Sequence, residues 1–85
     1  MKDLELKNRY ILGMVREESN RQIHKWGIQD RESFEWLTYT TEELGELAKA
    51  ISEHCYRNGL PSNVVKEAIQ VATLALKIAE MYIEL

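Results

Sequence analysis

Hydrophobic residues recur at intervals of three and four along most of the chain and divide it into three segments. This spacing is typical of amphipathic α-helices, in which residues three and four apart share a face. The predicted helices cover 3–26, 34–57, and a third segment that begins near Ser62 or Asn63 and continues to the C-terminus. Neither a strand pattern nor an internal repeat is present. The sequence therefore predicts an all-α fold with three main helices.

The breaks between the segments carry residues that commonly end and begin helices. Gly27 suits the left-handed position after the first helix, and Asp30 or Ser33 is predicted to cap the second. Asn58-Gly59 ends the second helix, and Pro61 prevents its continuation. These signals predict short connections, so each helix folds back on the previous one.

The third helix is apolar around most of its circumference. One face carries Val64, Val71, Leu74, Ala75, Ile78, Met81 and Tyr82, and the other Val65, Ile69, Ala72, Leu76, Ala79 and Ile83. Such a helix is normally buried on two sides. Because the chain is too short to cover both, we expect a homo-oligomer, a dimer or tetramer that completes a helical bundle with a four-helix-type core.

Length and composition narrow the possible functions. The 85 residues form one domain, 1–85, with a net charge of −3 and no basic stripe, which argues against a nucleic-acid polymer as partner. The single cysteine, Cys55, is predicted to be a small core residue. No apolar run approaches the roughly 20 residues of a membrane span, and the N-terminal residues lack a signal-peptide pattern. We therefore expect a cytoplasmic protein.

Carboxylates interrupt the apolar pattern of the second and third helices. Glu43 lies at the edge of an apolar arc formed by Trp36, Leu37, Thr40, Leu44, Leu47, Ala48, Ile51 and Cys55. Glu46 lies on the same flank, so the two carboxylates can converge. Glu67 falls within an apolar face, where an ionised carboxylate is costly unless it is paired or bound to a metal. With Gln70 three residues later, the pattern favours a site for a hard divalent cation; the alternative is a solvated acidic flank.

The second half of the first helix, 16–25, has a single apolar residue. It is either a solvated helix face or a polar wall that faces a charged ligand. In the second interpretation Arg21 and Lys25 would contact phosphates and Trp26 a base, which suits a nucleotide. Trp36 is predicted to be core rather than a stacking platform, and Tyr39, Tyr56 and Tyr82 to be packing residues.

The combined pattern resembles the MazG-like branch of the all-α nucleoside triphosphate pyrophosphohydrolases. The family signature is E-x-x-E on one helix and E-x-x-D on the next. Glu43-Leu44-Gly45-Glu46, preceded by Glu42, matches the first half, and Glu67-Ala68-Ile69-Gln70 occupies the second. The sequence of 21–29, with Arg21-Gln22, Lys25-Trp26-Gly27 and Gln29, is similar to the N-terminal element of some short members.

The resemblance implies Mg²⁺-dependent hydrolysis of a nucleoside triphosphate to a monophosphate and pyrophosphate. It assigns Glu43, Glu46, Glu67 and Gln70 to the metal site, with Glu43 or Glu46 also acting as general base. Arg21, Gln22, Lys25 and Trp26 would bind the substrate. Gln70 stands where the family has aspartate, and its amide oxygen can ligate a cation but brings no charge. The base and sugar preference is not readable from the sequence.

A second function class is a non-catalytic oligomeric module that binds nucleotides or proteins through the same helices. The helix spacing also raises a geometric question. In a tight hairpin about 59–60, Glu46 lies roughly 20 Å from the turn but Glu67 only roughly 11 Å. Either the second helix ends early, or the helices cross steeply, or the Glu43–Glu46 pair and the Glu67–Gln70 pair bind separate ions.

Overall fold

The computed structural model describes residues 4–83 and 85, and these form three α-helices. They are α1 (Ile11–Trp26), α2 (Ser33–Arg57) and α3 (Pro61–Ile83). No strand occurs in the described part of the chain. The all-α prediction is therefore confirmed. No helix within 4–83 is long and apolar enough to cross a membrane.

The first helix begins later than its apolar periodicity predicted. The predicted segment 3–26 is helical only from Ile11, and its residue 3 lies outside the described range. The Asn8 side chain accepts a hydrogen bond from the backbone N–H of Tyr10 at 2.8 Å, and the Asn8 carbonyl accepts one from Ile11. Asparagine competes in this way with helical hydrogen bonding, so Asn8 forms a turn ahead of α1.

Gly27 ends α1 as predicted, and its backbone N–H donates a hydrogen bond of 2.7 Å to the Ile23 carbonyl. Its φ of 75° is positive, but its ψ of 179° lies outside the left-handed helical region that was predicted. The predicted caps of α2 are wrong. The N-terminal cap is Glu32, which forms a capping box with Glu35. The Glu32 side chain accepts a hydrogen bond from the backbone N–H of Glu35, and the Glu35 side chain accepts one from the backbone N–H of Glu32. Ser33 is the first helical residue, and its hydroxyl accepts a hydrogen bond from Tyr82 of α3 at 2.9 Å.

The connection between α2 and α3 is tight. Asn58 adopts the left-handed conformation, and Gly59 donates a backbone hydrogen bond of 2.9 Å to the Glu53 carbonyl. A Cβ at Gly59 would lie 3.0 Å from the backbone of Glu53 and His54, so the close approach requires glycine. Pro61, rather than Ser62 or Asn63, begins α3, since the first helical position needs no backbone N–H.

The third helix is the centre of the fold. It packs against α2 over most of its length and against α1 on another side, whereas α1 and α2 make no direct packing contact in the described range. Thr73 and Leu74 of α3 are buried, with 1% and 6% exposure. Part of the α3 surface predicted to need another subunit is thus covered by α1. Val65 and Leu76 remain half exposed, and the predicted oligomer stays a prediction.

The apolar arc of α2 divides between two environments. Trp36, Thr40 and Leu47 are half-buried. Leu37, Leu44 and Ile51 are 49%, 53% and 45% exposed, and Ala48 and Cys55 are exposed as well. The prediction that Cys55 is a core residue is wrong, because α3 covers only the side of α2 that carries Trp36 and Leu47.

Candidate functional site

The amide of Gln70 joins the two acidic helices. In the orientation that satisfies its hydrogen bonds, the amide nitrogen donates to Glu43 at 2.8 Å and to Glu67 at 2.9 Å. All three residues are half-buried where α2 packs on α3. Because α2 extends to Arg57 as predicted, an early end of this helix does not explain how Glu43 reaches α3.

Glu43 is the carboxylate most affected by this arrangement. Burial raises its pKa, and the neighbouring charge of Glu67 and a hydrogen bond shared with the Glu67 carboxyl raise it further. The charges of Glu46 and Glu18 add to the same effect. The site thus concentrates negative charge that a cation would neutralise.

Glu46 does not join the hydrogen-bonded group. Glu46 is exposed, and its charge contributes to the raised pKa of Glu43. Among residues 4–83 and 85, no three histidine, cysteine or acidic side chains are grouped closely enough to hold a metal. The converging oxygen atoms belong to the carboxylates of Glu43 and Glu67, and the Gln70 amide nitrogen lies between them.

A cleft of about 600 Å³ opens beside this group, between α2, α3 and the C-terminal end of α1. Glu43 and Gln70 lie in its wall. The cleft also brings together three cationic and three aromatic side chains, contributed by all three helices and the α1–α2 loop: Arg21, Arg31, Lys77, Trp26, Trp36 and Tyr39. It is therefore a polar and aromatic cleft with carboxylates along one side.

Each ring of the cleft has a cationic group over its face. Lys25 Nζ lies 4.6 Å from the centre of Trp26, with the Arg21 guanidinium 5.9 Å from the same ring. Lys77 Nζ lies 5.7 Å from the ring centre of Trp36. Cation–π attraction holds these cations in the cleft. The same groups match the phosphates and the base of a nucleotide.

The loop between α1 and α2 adds the third cation. Arg31 Nε donates to the Gln29 side chain at 2.7 Å, and the guanidinium lies 5.0 Å from the ring centre of Tyr39. It also forms a 3.3 Å ion pair with Glu35 of the capping box. The contacts that begin α2 therefore also orient a cation at the rim of the cleft.

A polar chain connects α1 to α3 at the floor of the cleft. Arg21 donates two hydrogen bonds to Glu18, of 2.9 and 2.8 Å, and the Gln22 amide nitrogen donates to Glu18 at 2.7 Å. Lys77 Nζ donates to the Gln22 oxygen at 2.7 Å. Gln22 is 9% exposed. Its amide nitrogen donates to Glu18 and its amide oxygen accepts from Lys77, so both polar atoms of this buried side chain are hydrogen-bonded.

The charged groups joined by these hydrogen bonds shift one another's pKa values. The hydrogen bond from Arg21 lowers the pKa of Glu18, against the opposing effect of burial. Burial lowers the pKa of Lys77, while the Glu18 charge acts in the opposite direction. The hydrogen bond to Glu18 raises the pKa of Arg21 above its ordinary value. Two of these groups, Arg21 and Lys77, line the cleft together with Glu43.

Three of the four predicted substrate-binding residues, Arg21, Gln22 and Trp26, line the cleft. The fourth, Lys25, is not part of the lining, but its Nζ lies over the ring of Trp26. Of the segment 16–25, only the part from Arg21 to Ile23 therefore lines the cleft. The Glu18–Arg21 ion pair is also the kind of intrahelical contact that the solvated interpretation expected.

Sequence reasoning missed Lys77, Arg31 and Tyr39, and it favoured a core role for Trp36. A signal existed for Lys77, since it lies seven residues after Gln70 and so on the same helix face. Arg31 offered none, because its place depends on the conformation of the loop. Comparison of the chain with protein-family models, with curated proteins and with solved structures finds no match.

Proposed function

We propose that the protein is a Mg²⁺-dependent nucleoside triphosphate pyrophosphohydrolase that releases pyrophosphate and a nucleoside monophosphate. The observation that carries this proposal is the shared cleft, whose lining combines three cations and three aromatic rings with Gln70 and the carboxylates of Glu42, Glu43 and Glu80. Cations suit a triphosphate, rings suit a base, and paired carboxylates suit the hard cation that accompanies a triphosphate.

The donor set fits Mg²⁺ when substrate phosphates complete it. Mg²⁺ commonly binds one or two carboxylates together with phosphate oxygens and water. Glu43, Glu67 and Gln70 would hold it, and Glu46 would contribute charge from the solvent side. A half-turn of the Gln70 amide exchanges its nitrogen for its oxygen, which converts a hydrogen-bond donor into a ligand. When bound, the ion neutralises charge on the phosphates and acidifies a coordinated water.

The reaction proposed for this cleft is attack of water on the α-phosphorus. A P–O bond forms from the water oxygen, and the bond from the α-phosphorus to the bridging oxygen breaks to release pyrophosphate. Glu43 or Glu46 accepts the proton of the attacking water, and Glu43 is better placed because it lines the cleft. Arg21 and Lys77 hold the phosphates in line by charge-assisted hydrogen bonds.

A second candidate is nucleotide binding without turnover. It is favoured by Gln70, whose neutral amide leaves two carboxylates in the hydrogen-bonded group. The same cleft would then act as a sensor or carrier site. This function shares every binding contact with the enzyme and differs only in the chemical step.

The test is pyrophosphate release from a panel of canonical and modified nucleoside triphosphates, each with Mg²⁺ and with EDTA. Thermal unfolding is followed in the same samples. An enzyme releases pyrophosphate only with Mg²⁺ and is stabilised by its substrate. Stabilisation without release identifies the binding module, and no response to any nucleotide contradicts both functions.

A further inference from the structure

The one buried residue of α1 is polar. Within this helix, all of which the structure describes, Gln22 alone is buried. The apolar residues Leu12, Met14 and Ile23 of the same helix are 71%, 37% and 41% exposed. Burying an amide stabilises a protein no more than burying an apolar side chain of similar size, because hydrogen bonds must first offset its desolvation. The packing of α1 on α3 therefore does not by itself explain a glutamine here.

Both polar atoms of the Gln22 side chain have partners within the chain. The amide nitrogen donates to Glu18 at 2.7 Å, and the amide oxygen accepts from Lys77 Nζ at 2.7 Å. An ionised carboxylate only accepts hydrogen bonds and an ammonium group only donates them, so the two partners fix the orientation of the amide. Gln22 is thus engaged on both sides before any ligand enters the cleft.

The Lys77 end of this chain of hydrogen bonds lies at the cleft. Lys77 is part of the cleft lining, and its Nζ lies 5.7 Å from the ring centre of Trp36. Among the residues that the structure describes, Gln22 is the only hydrogen-bond acceptor that its ammonium contacts. An ammonium group has three N–H donors, so two remain for an anionic ligand. Because the lysine stem is flexible, the ammonium would take several positions without this acceptor.

Gln22 also stands between Lys77 and a carboxylate. Glu18 accepts two hydrogen bonds from Arg21 and one from Gln22, so its partners lie within α1. A direct contact between Glu18 and Lys77 would pair two opposite charges, which is a stronger interaction than a bond to a neutral amide. The amide therefore orients the lysine and leaves its charge available to a phosphate.

We propose that Gln22 is a positioning residue, which holds the Lys77 ammonium at the cleft for the phosphates of the substrate and does not itself bind the substrate. This inference rests on the proposed function, since that function supplies the phosphates. It differs from the direct substrate contact that the family resemblance implied for Gln22.

A double-mutant cycle separates the two roles. The probe is inorganic triphosphate with Mg²⁺, and calorimetry measures its binding to wild type, Gln22→Met, Lys77→Met and the double variant. Methionine is unbranched, as both native side chains are, but offers no comparable hydrogen bond. Lys77→Met is expected to weaken binding by roughly 10- to 100-fold, and Gln22→Met by roughly 3- to 10-fold.

The double variant is expected to bind as Lys77→Met does, because a positioning residue has no effect once its lysine is gone. If Gln22→Met weakens binding by the same factor in the Lys77→Met background, Gln22 either contacts the ligand or shapes the whole cleft. That result would overturn the proposal. So would undiminished binding by the single variant Gln22→Met.

Ala50→Gly is the matched control for lost stability. Ala50 is 8% exposed on α2 and lies outside the cleft lining. Glycine within a helix is destabilising, yet the affinity for inorganic triphosphate is expected to stay at the wild-type value. A loss of affinity equal to that of Gln22→Met would attribute both losses to reduced stability and contradict the positioning role.

Lysine-selective ¹⁵N NMR tests the inference in wild type, so it does not depend on the folding of Gln22→Met. The ammonium signal that disappears in Lys77→Met belongs to Lys77. This signal is expected in the free wild-type protein, because its hydrogen bond slows proton exchange, and it is expected to shift when inorganic triphosphate binds. Its absence from Gln22→Met would complete the expected result. A Lys77 signal that bound triphosphate does not shift would overturn the proposal.

Pyrophosphate release from nucleoside triphosphates at low concentration, measured on the same variants, separates this inference from the proposed function. Release is expected to fall in Gln22→Met by the factor found for binding. Undiminished release by Gln22→Met, from a wild type that is active, would overturn the role of Gln22 and leave the proposed function standing. A wild type that neither releases pyrophosphate nor binds inorganic triphosphate would contradict both.

Discussion

The two sides of α2 differ in a way that residue type alone does not explain. Toward α3, the helix contributes the carboxylate of Glu43, which lies half-buried at a polar cleft. On the side that faces away from α3, Leu44 is 53% exposed, whereas the polar residues Thr73 and Gln22 elsewhere are 1% and 9% exposed. Polar groups are tolerated inside because they are hydrogen-bonded, so burial in this chain follows the position of a residue in the helix packing rather than its polarity.

The largest expected effect is on catalysis, at the side of α2 that lines the cleft. Glu43→Gln removes a carboxylate of the cleft and the proposed general base, and it should lower Mg²⁺-dependent pyrophosphate release by roughly 10²–10⁴-fold. Glu53→Gln, at an exposed carboxylate of the same helix that lies outside the cleft lining, is the matched control and should retain full activity. Undiminished turnover in Glu43→Gln would remove this residue from the mechanism.

The second expected effect is on stability. Leu74, 6% exposed in the cleft wall, packs within the chain, so Leu74→Ala should lower the free energy of unfolding by about 2–5 kcal/mol. Leu44→Ala should cost less than about 1 kcal/mol, because Leu44 is 53% exposed and its truncation leaves no cavity within the chain. Urea unfolding of both variants measures the two losses. Equal losses would erase the contrast between the two sides.

The third effect concerns metal binding by the Gln70 position. Gln70→Glu adds a third carboxylate to Glu43 and Glu67, and it should tighten Mg²⁺ binding without nucleotide by at least about tenfold, which corresponds to 1.4 kcal/mol. Gln70→Asp adds the charge but shortens the side chain, so comparison of the two variants separates the effect of charge from that of side-chain length. Calorimetry on wild type and both variants measures this. Identical Mg²⁺ affinity in all three would place residue 70 outside the metal shell.

The smallest effect is a pH-dependent gain in stability. The pKa of Glu43 is raised above its unfolded value of 4.5, so the folded state holds this proton more tightly and loses stability as pH rises through the raised pKa. Glu43→Gln lacks this loss. Its melting temperature should therefore exceed that of wild type at pH 7, and the difference should disappear as pH falls toward 4.5. A gain that persists below pH 4 would point to a cause other than this titration.

The helical fold was predictable because its signals are local. Periodicity identified all three helices, and Gly27 and Asn58 marked two helix ends correctly. The start of α1 was misplaced because apolar spacing continues through 4–10, where Asn8 forms a turn. The cap of α2 was missed because glutamate is an uncommon capping residue, and here it acts through a reciprocal pair.

The candidate site was predictable only in part. Spacing placed Glu67 and Gln70 on one face, and the structure brings Glu43 to them. Lys77 and Arg31 were missed because their place in the cleft depends on how α1 and the loop pack against α2 and α3. The exposure of Leu44 and Cys55 was missed for a related reason, since periodicity reports that a face is apolar but not which element covers it.

The proposed reaction is attack of water on the α-phosphorus of a nucleoside triphosphate in this cleft. Hydrolysis in ¹⁸O-labelled water with Mg²⁺, followed by mass spectrometry of both products, tests it. Attack at the α-phosphorus places one labelled oxygen in the nucleoside monophosphate and none in the pyrophosphate. Label in the pyrophosphate would show attack at another phosphorus. The absence of any product across the nucleotide panel, with protein that is folded by circular dichroism, would contradict the enzymatic function itself.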